Sequence, residues 1–413
     1  MRPFSLRELL KENPIVLSGM GVYCAAGTSV DELWRNVAAG ASPARWLELP
    51  ESKSLPRVAA CVAPAWHPER PEFRLVRKMD RCVQLALAAA LPAWEEARAG
   101  GIAAERIAII SGTSRGPINK WNEGMHWLVR DRMLPSLAAN STLACLSGAL
   151  SQVFHAKGSC LTVASACASA ASAIALGARM IATDEADVAL VGGADAPLNP
   201  LVITQLNAAG LLGHHEDPTR TCRPFDRTRD GLLLGEGAGF LVLESASHAQ
   251  ARGVAVQARL LGWATGADTS GRAGVSEHGD GLVQVMRGAL ELAGIEAAQI
   301  DYVNAHGTGT QVNDAAETHA MQRVFGGRNV PCSSTKPVTG HCMGATPAIE
   351  AILCIEAMRH QLLPPTANCK EPDPVCALDV VPGKARAAKV QTVMSNSLGF
   401  WGNNAAVILG KAD

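Results

Sequence analysis

Residues 158–178 read GSCLTVASACASAASAIALGA, and this stretch decides the fold. An apolar run, CLTVA, leads into a long series of alanines and serines, and no charged residue occurs between Lys157 and Arg179. The stretch is long enough to cross a bilayer, but its many Ser, Ala and Gly residues give weak membrane insertion. It predicts instead a strand that runs into a helix, with both elements buried inside the protein on all sides.

Runs typical of strands alternate with runs typical of helices along the rest of the chain, which indicates an α/β protein. Strands are predicted at 14–21, 106–111, 187–193, 237–244 and 256–261. Residues 280–293 carry apolar side chains at helical spacing and predict a helix.

Four segments of the first half have counterparts, in the same order, in the second half. IVLSGMG (15–21) resembles ARLLGWATG (258–266), IAIISGT (107–113) resembles YVNAHGT (302–308), and DVALVGGADA (187–196) resembles VQTVMSNSLGF (390–400). In the fourth pair, 159–174 and 330–352, a strand feeds a buried helix. Four matches in register predict two similar α/β halves that divide near residue 255.

The composition excludes several classes of protein. The 413 residues include 48% hydrophobic and 18% charged residues, which is typical of a globular protein. Lysine and arginine number 37 against 38 aspartates and glutamates, so the net charge of -1 predicts neither a nucleic-acid nor an anionic-membrane partner.

Twelve cysteines are scattered along the chain, and no two form a CxxC pair, which argues against a zinc or redox motif. A long chain that begins without a signal peptide favours reduced, mostly buried thiols. We therefore expect a cytoplasmic protein with no bound metal.

Two segments hold candidate catalytic side chains. Cys167 follows the strand CLTVA and precedes the alanine-rich helix, so its thiol is expected at a helix N-terminus, where the helix dipole favours the thiolate. His306 follows a second predicted strand in NAHGTGTQVNDAAE, and Asp314 and Glu317 share one side of the next helix. A buried inert cysteine and a solvated carboxylate pair are the alternatives.

A third segment, TKPVTGHCMGATPAIEAI (335–352), carries His341 and then the start of a predicted helix. Thr346 is expected to cap this helix. Glu350 stands in an otherwise apolar run of this helix. Burying a carboxylate without a cationic partner is costly, and Lys336 is the nearest cation in the segment.

Several longer motifs carry a resemblance to a known family. They are VASACAS around Cys167, RPFDRTRDGLLLGEGAG (223–239), YVNAHGTGT (302–310), STKPVTGHCMGA (334–345), LPPTANCKEPDPVC (363–376) and NSLGFWGNNA (396–405). In this order they resemble the β-ketoacyl-acyl carrier protein synthases of the elongating type, which are thiolase-fold condensing enzymes. The resemblance implies a five-layered αβαβα fold of two duplicated halves, 1–255 with the cysteine and 256–413 with the histidines, normally in a dimer.

The resemblance also implies the reaction, a decarboxylative Claisen condensation. Cys167 is implied to hold the acyl chain, while His306 and His341 bind the oxygen of the enolate that forms when malonyl-acyl carrier protein loses carbon dioxide. The backbone N–H groups of Cys167 and Phe400 are implied to form the oxyanion hole, whose donors are typically worth about 3–4 kcal/mol each.

Further residues receive supporting roles by resemblance. Lys336 is expected to order the histidines and to contact Glu350 as well as the side of the site formed by Asp314 and Glu317. Lys336 matches a lysine of the family that lies among the catalytic histidines.

The substrates are expected to arrive on acyl carrier protein, with no bound cofactor. Thr308 and Thr310 match the hydroxyls that hold the phosphopantetheine arm. Arg77 and Lys78 match basic residues that meet the acidic carrier protein, although a solvated helix face is an equal alternative for this pair.

The C-terminal motif departs from the family pattern NSFGFGGTN. Leu398 replaces an aromatic residue, Trp401 replaces a glycine and Asn403 replaces a threonine. Because the loop normally gates the acyl pocket, Trp401 is expected either to restrain it and shape acyl selection or to pack outward against a partner subunit.

The leading hypothesis is a 3-oxoacyl-acyl carrier protein synthase of fatty acid synthesis. The alternative is the ketosynthase subunit of a specialised polyketide or aryl polyene pathway, working with a chain-length-factor partner. A non-catalytic chain-length factor, a thiolase and a cysteine hydrolase fit less well, because Cys167, His306 and His341 are present together with Lys336.

Overall fold

The structure is a computed structural model that describes residues 5–48, 57–67, 71–269 and 276–412. Its strands are β1 (Ile15–Cys24), β2 (Arg45–Leu47), β3 (Val58–Cys61), β4 (Ile107–Gly112), β5 (Cys160–Val163), β6 (Val188–Asp195), β7 (Leu234–Gly235), β8 (Gly237–Ser245), β9 (Ala258–Ala267), β10 (Tyr302–Asn304), β11 (Cys332–Ser333), β12 (Leu362–Leu363), β13 (Arg386–Ala387), β14 (Thr392–Leu398) and β15 (Asn403–Lys411).

The α-helices alternate with these strands. They are α1 (Leu6–Glu12), α2 (Val30–Ala38), α3 (Arg81–Glu96), α4 (Ile118–Leu128), α5 (Leu137–Asn140), α6 (Cys145–Phe154), α7 (Ser169–Ala182), α8 (Pro200–Ala208), α9 (Ala246–Arg252), α10 (Asp280–Ala293), α11 (Gln311–Phe325), α12 (Lys336–Thr339) and α13 (Thr346–His360). Helix α10 has the bounds that its apolar spacing predicted.

Ten strands form one sheet in the order β11-β10-β14-β15-β9-β1-β8-β6-β4-β5. Each half of the chain supplies five neighbouring strands with the same order and direction. In the first half β1, β8 and β6 pair antiparallel and β6, β4 and β5 pair parallel; β9, β15, β14, β10 and β11 repeat this pattern in the second half. The four sequence pairs occupy equivalent positions, which confirms the predicted duplication.

Helices α7 and α13 lie between the two halves of the sheet and form the central layer. Helix α7 contacts β4 and β6 of the first half and also β9 and β15 of the second, while α13 contacts β8 and β14. Helices α3 and α6 cover the outer face of the first half, and α10 and α11 cover that of the second. The arrangement is the predicted five-layered αβαβα fold.

The central helix α7 packs closely on the sheet because both surfaces carry small residues. A Cβ atom on Gly112 would lie 2.5 Å from the Ser169 carbonyl carbon, a contact that real Cβ atoms do not make. The many Ser, Ala and Gly residues of the opening stretch therefore allow the backbone of α7 to approach β4.

The expectation that this stretch is buried on all sides is wrong for its strand. Cys160 and Leu161 are exposed, because β5 is the edge strand of the sheet and has a neighbour on one side only. Among the described residues, no helix is long and apolar enough to cross a membrane.

The cysteines are free thiols, and ten of the twelve are buried. Cys145 is half-buried and Cys160 is exposed. The division of the chain into domains at residue 255 falls in the connection between α9 and β9 and stays a prediction.

Candidate active site

Cys167 lies in the short turn between β5 and α7. The residue before it, Ala166, has φ 48°, in the left-handed region, and the first helical residue is Ser169. The turn places the thiol among buried side chains, with Cys167 only 5% exposed. The sulfur is thus close to the start of the helix, as expected, although Cys167 lies two residues before the first helical residue, Ser169.

Both candidate histidines lie beside this thiol. The His341 Nε2 atom is 3.1 Å from the Cys167 Sγ atom. The His306 and His341 rings meet edge to face with centroids 5.4 Å apart, and one ligand atom of each of the three residues lies within 4.8 Å of the others. The structure therefore brings the cysteine from the first half together with the two histidines from the second half.

His341 is held by the segment that joins α12 to α13. Its Nδ1 atom is 3.1 Å from the hydroxyl oxygen of Thr346. The expectation that Thr346 caps the helix is wrong: α13 begins at Thr346 itself, Ala345 occupies the cap position, and the cap has no side-chain hydrogen bond. The hydroxyl contacts the histidine instead, a role that sequence reasoning missed.

His306 is positioned through its backbone. Glu317 on α11 accepts hydrogen bonds from the backbone N–H groups of His306 and Gly307, both at 2.8 Å. Burial raises the pKa of Glu317 to about 7, although these two hydrogen bonds lower it in part. The side chain of Glu317 thus fixes the turn that presents the imidazole.

Asp314 has the same kind of role one turn earlier on α11. It accepts hydrogen bonds from the backbone N–H groups of Phe225 at 2.9 Å and Gly309 at 3.2 Å, and its cationic neighbour is Arg229 at 3.7 Å. Burial raises the pKa of Asp314. The cation beside Asp314 is therefore the buried Arg229, and among the described residues no ion pair joins Asp314 to Lys336.

Lys336 pairs with Glu350, the partner that the sequence indicated. Its Nζ atom is 2.6 Å from a carboxylate oxygen of Glu350, and neither side chain is more than 1% exposed. Burial raises the pKa of Glu350 to about 7, and the ammonium charge of Lys336 opposes this shift. Within the described part of the chain no hydrogen bond joins Lys336 to Glu317, so Lys336 affects Glu317 through its charge alone.

Burial favours the neutral forms of the three central groups. It raises the pKa of Cys167 to about 12, an effect that the charges of Lys336 and Arg115 oppose. It lowers the pKa of His341 to about 3 and that of His306 well below its usual value, and the Lys336 charge adds to both shifts. Loss of water around the sulfur therefore opposes the helix dipole, which is expected to favour the thiolate.

These residues line a cavity of about 420 Å³. Cys167, His306 and His341 form one side of it, and Phe400 lies on the wall. Thr308 and Thr310 line it as well, and their hydroxyl oxygens are 2.9 Å apart. The cavity can accept an acyl thioester beside the buried sulfur, and its two neutral imidazoles can stabilise a developing oxyanion.

The loop after β14 carries Phe400 and Trp401. Asn403 donates a hydrogen bond from its side chain to the Phe400 carbonyl at 2.9 Å, which ties the two ends of the loop. Trp401 has φ 61° and is 80% exposed, and it is not among the residues that line the cavity. The structure therefore does not place the indole where it could shape acyl selection directly.

Arg77 and Lys78 end a 3₁₀ helix, Pro71–Lys78, and both are exposed. Sequence reasoning missed Thr346 and Arg229 as neighbours of the site. The motif RPFDRTRDGLLLGEGAG held the signal for Arg229, since an arginine near aspartates is a common partner for a buried carboxylate.

Comparison with known proteins agrees with this geometry. The family model for the β-ketoacyl synthase N-terminal domain matches residues 12–249, and that for the C-terminal domain matches residues 257–370. The chain is 31% identical to 3-oxoacyl-[acyl-carrier-protein] synthase 2 of Coxiella burnetii, over 97% of this chain and 99% of that protein. It is 36% identical to nodulation protein E of Rhizobium sp. strain N33, over 95% and 98%.

A solved structure has the same fold. A chain of the ishigamide ketosynthase/chain length factor superposes with a TM-score of 0.88 at 35% identity, covering 97% of this chain and 100% of that chain.

Proposed function

Because the chain belongs to the β-ketoacyl synthase family of carbon–carbon bond-forming acyltransferases, we propose that it acts as a 3-oxoacyl-acyl carrier protein synthase. It would join an acyl chain on Cys167 to malonyl-acyl carrier protein with loss of carbon dioxide. The observation that carries the proposal is the 3.1 Å contact between Cys167 and His341 in a cavity that His306 also lines.

In the first half-reaction the Cys167 sulfur attacks the acyl thioester. A carbon–sulfur bond to Cys167 forms, the bond to phosphopantetheine breaks, and the proton lost by the cysteine is balanced by the one that the departing sulfur takes up. The oxyanion of the tetrahedral intermediate is assigned to the backbone N–H groups of Cys167 and Phe400, whose residues line the same cavity.

In the second half-reaction malonyl-acyl carrier protein occupies the cavity. The bond to the carboxyl group breaks, carbon dioxide leaves, and the enolate oxygen is assigned to N–H groups of His306 and His341. The enolate carbon then attacks the acyl carbonyl, so that a carbon–carbon bond forms and the Cys167 sulfur leaves as a thiolate. This thiolate takes up a proton from water, which restores the thiol. Neutral imidazoles suit this step, because they can donate a hydrogen bond without a permanent charge.

Both substrates would arrive on the phosphopantetheine of acyl carrier protein, and the proposed chemistry uses no bound cofactor. The paired hydroxyls of Thr308 and Thr310 are assigned to the arm, and the exposed Arg77 and Lys78 to the acidic carrier protein. The proposed location is the cytoplasm, which agrees with the free cysteines.

A second candidate function is the ketosynthase subunit of a specialised polyketide or aryl polyene pathway, paired with a chain-length factor. The similarity to the ishigamide ketosynthase/chain length factor favours it. An exposed apolar surface also fits a partner subunit, either a second copy of this chain or a chain-length factor. Trp121, Met125 and Leu128 line one face of α4, and each is more than half exposed.

The test is intact-mass measurement after incubation with a panel of acyl-carrier proteins, in the wild type and in Cys167→Ser. The wild type should gain the acyl mass and, with malonyl-acyl carrier protein, release a product two carbons longer. Cys167→Ser should not condense, because a hydroxyl is a much weaker nucleophile at neutral pH. Condensation at the wild-type rate in the variant would refute the assignment. A need for a second subunit would favour the paired function.

A further inference from the structure

Thr346 is the first residue of α13, and its hydroxyl contacts a catalytic histidine. Thr346 is 2% exposed, and its oxygen lies 3.1 Å from His341 Nδ1. Within the described part of the chain this is the one hydrogen bond that the hydroxyl makes. On its other side, the same imidazole places Nε2 at 3.1 Å from the Cys167 sulfur.

The direction of this hydrogen bond follows from burial. If the hydroxyl accepted a hydrogen from Nδ1, its own hydrogen would be buried with no acceptor, which costs about 1–3 kcal/mol. If it donates, the hydrogen bond satisfies the hydroxyl and the Nδ1 lone pair together. The neutral imidazole then carries its hydrogen on Nε2.

The two tautomers of His341 differ in what they offer to the substrate. With hydrogen on Nε2, the ring presents a donor to the cavity, where an enolate oxygen can accept it. With hydrogen on Nδ1, it presents a lone pair, which would repel the same oxygen. His306 has no such support, because its Nδ1 atom has no hydrogen-bond partner among the described residues.

We propose that Thr346 is a positioning residue that holds His341 in the Nε2–H tautomer, so that this imidazole donates a hydrogen bond during decarboxylation. The role rests on the proposed function, since the donor acts on the enolate of malonyl-acyl carrier protein. The turn before α13 makes this role possible, because it brings the Thr346 hydroxyl into contact with the His341 ring.

The test compares a substitution that removes the hydroxyl with one that keeps it. Thr346→Val keeps the shape of the side chain and removes the hydroxyl, while Thr346→Ser keeps the hydroxyl. We expect Thr346→Val to lower kcat for decarboxylation of malonyl-acyl carrier protein about tenfold, with KM within about twofold, since one hydrogen bond is lost. Thr346→Ser should stay within about threefold of the wild type.

Thr318→Val is the matched control. Thr318 is also buried, and its hydroxyl donates a hydrogen bond to the Asp314 carbonyl at 2.7 Å, away from the histidines. Its kcat per folded protein should be close to that of the wild type. A kcat for Thr346→Val within twofold of the wild type, or a loss in Thr346→Ser as large as in Thr346→Val, would overturn the proposal.

A spectroscopic measurement separates this inference from the proposed function. In protein with ¹⁵N-labelled histidine, the His341 signals, assigned by their absence in His341→Ala, report which ring nitrogen carries the hydrogen. The Nε2–H pattern is expected in the wild type and in Thr346→Ser, and a mixture of tautomers in Thr346→Val. An Nδ1–H pattern in the wild type would overturn the inference even if the enzyme condenses. A wild type that neither decarboxylates nor condenses would refute the proposed function, while the spectrum would still decide the tautomer.

Discussion

The ammonium group of Lys336 lies 2.6 Å from the carboxylate of Glu350, and both side chains are fully buried. Lys336 begins α12 and Glu350 lies on α13, so the pair joins the two helices on either side of His341. The second oxygen of Glu350 has no hydrogen-bond partner among the described residues. The ion pair therefore braces the turn that presents the histidine, and its two charges depend on each other.

Removing one partner of this pair should be far more harmful than removing both. Glu350→Leu leaves a buried, unpaired ammonium, and we expect it to lower the free energy of unfolding by about 3–5 kcal/mol. The double variant Lys336→Met with Glu350→Leu leaves no buried charge and should lose much less stability than the two single variants added together. Urea denaturation of the four proteins measures the difference, and additive losses would contradict the coupling.

The buried Glu317 makes the free energy of unfolding depend on pH, and its raised pKa sets the direction of this dependence. Its pKa in the folded protein is about 7, against 4.5 for an ordinary glutamate, so between these values the folded protein binds more protons than the unfolded chain. The free energy of unfolding should therefore fall, through this group, as the pH rises from 4.5 to 7, by at most about 1.4 kcal/mol per pH unit.

Glu317→Gln isolates this effect, because an amide does not titrate. We expect the stability of the wild type relative to Glu317→Gln to decrease as the pH rises through that window and to level off above pH 7. Urea unfolding of both proteins at a series of pH values gives the difference between their free energies of unfolding. The contributions that other titrating groups make to both proteins cancel in this difference. A difference that does not change with pH would show that the pKa of Glu317 is not raised.

The fold could be predicted from the sequence because its signals are local and repeated. Strand-like runs ending in glycine, such as IAIIS before Gly112, recur in order in both halves, and equivalent runs took equivalent places in the sheet. The exposure of Cys160 could not be predicted, because an apolar run does not reveal whether its strand has one neighbour or two.

The site was predictable only as far as chemistry shows in residue types. Glu350, in the apolar first half of its helix, required a cation, and Lys336 supplied it. The partners of Asp314 and His341 depend on distances between segments: Arg229 comes from a loop far away in sequence, and the Thr346 hydroxyl turns towards the ring and away from the helix end. Likewise the raised pKa of Cys167 follows from the burial around it, which the sequence does not give.

The two histidines should divide their labour unequally. His306→Ala and His341→Ala are each expected to reduce decarboxylation of malonyl-acyl carrier protein by at least about tenfold, because each removes a donor to the enolate. Acylation of Cys167 should persist in both, and it should be nearer to the wild-type rate in His306→Ala, since among the described residues only the His341 ring makes a hydrogen bond to the sulfur. Separate measurement of acyl transfer and carbon dioxide release decides this. Loss of acylation with decarboxylation intact in both variants would reverse the roles.

Trp401 provides the last prediction. Its φ of 61° is a conformation that costs a non-glycine residue about 1–2 kcal/mol, and glycine adopts it without that cost. Since the indole is 80% exposed and does not line the cavity, it has little buried contact in this chain to offset the strain. We therefore expect Trp401→Gly to be as stable as the wild type or slightly more stable in thermal unfolding.

The same geometry predicts how Trp401→Gly affects selectivity. The ratio of acyl-transfer rates for a saturated and a polyunsaturated chain should be unchanged within about twofold, because the surface that meets the acyl chain includes Phe400 and Leu398 but not the indole. Phe400→Ala is the positive control, since its side chain lies on the cavity wall and its loss should alter the ratio. A shift of more than fivefold in Trp401→Gly, comparable to that in Phe400→Ala, would show that the loop moves during turnover and brings the indole to the substrate.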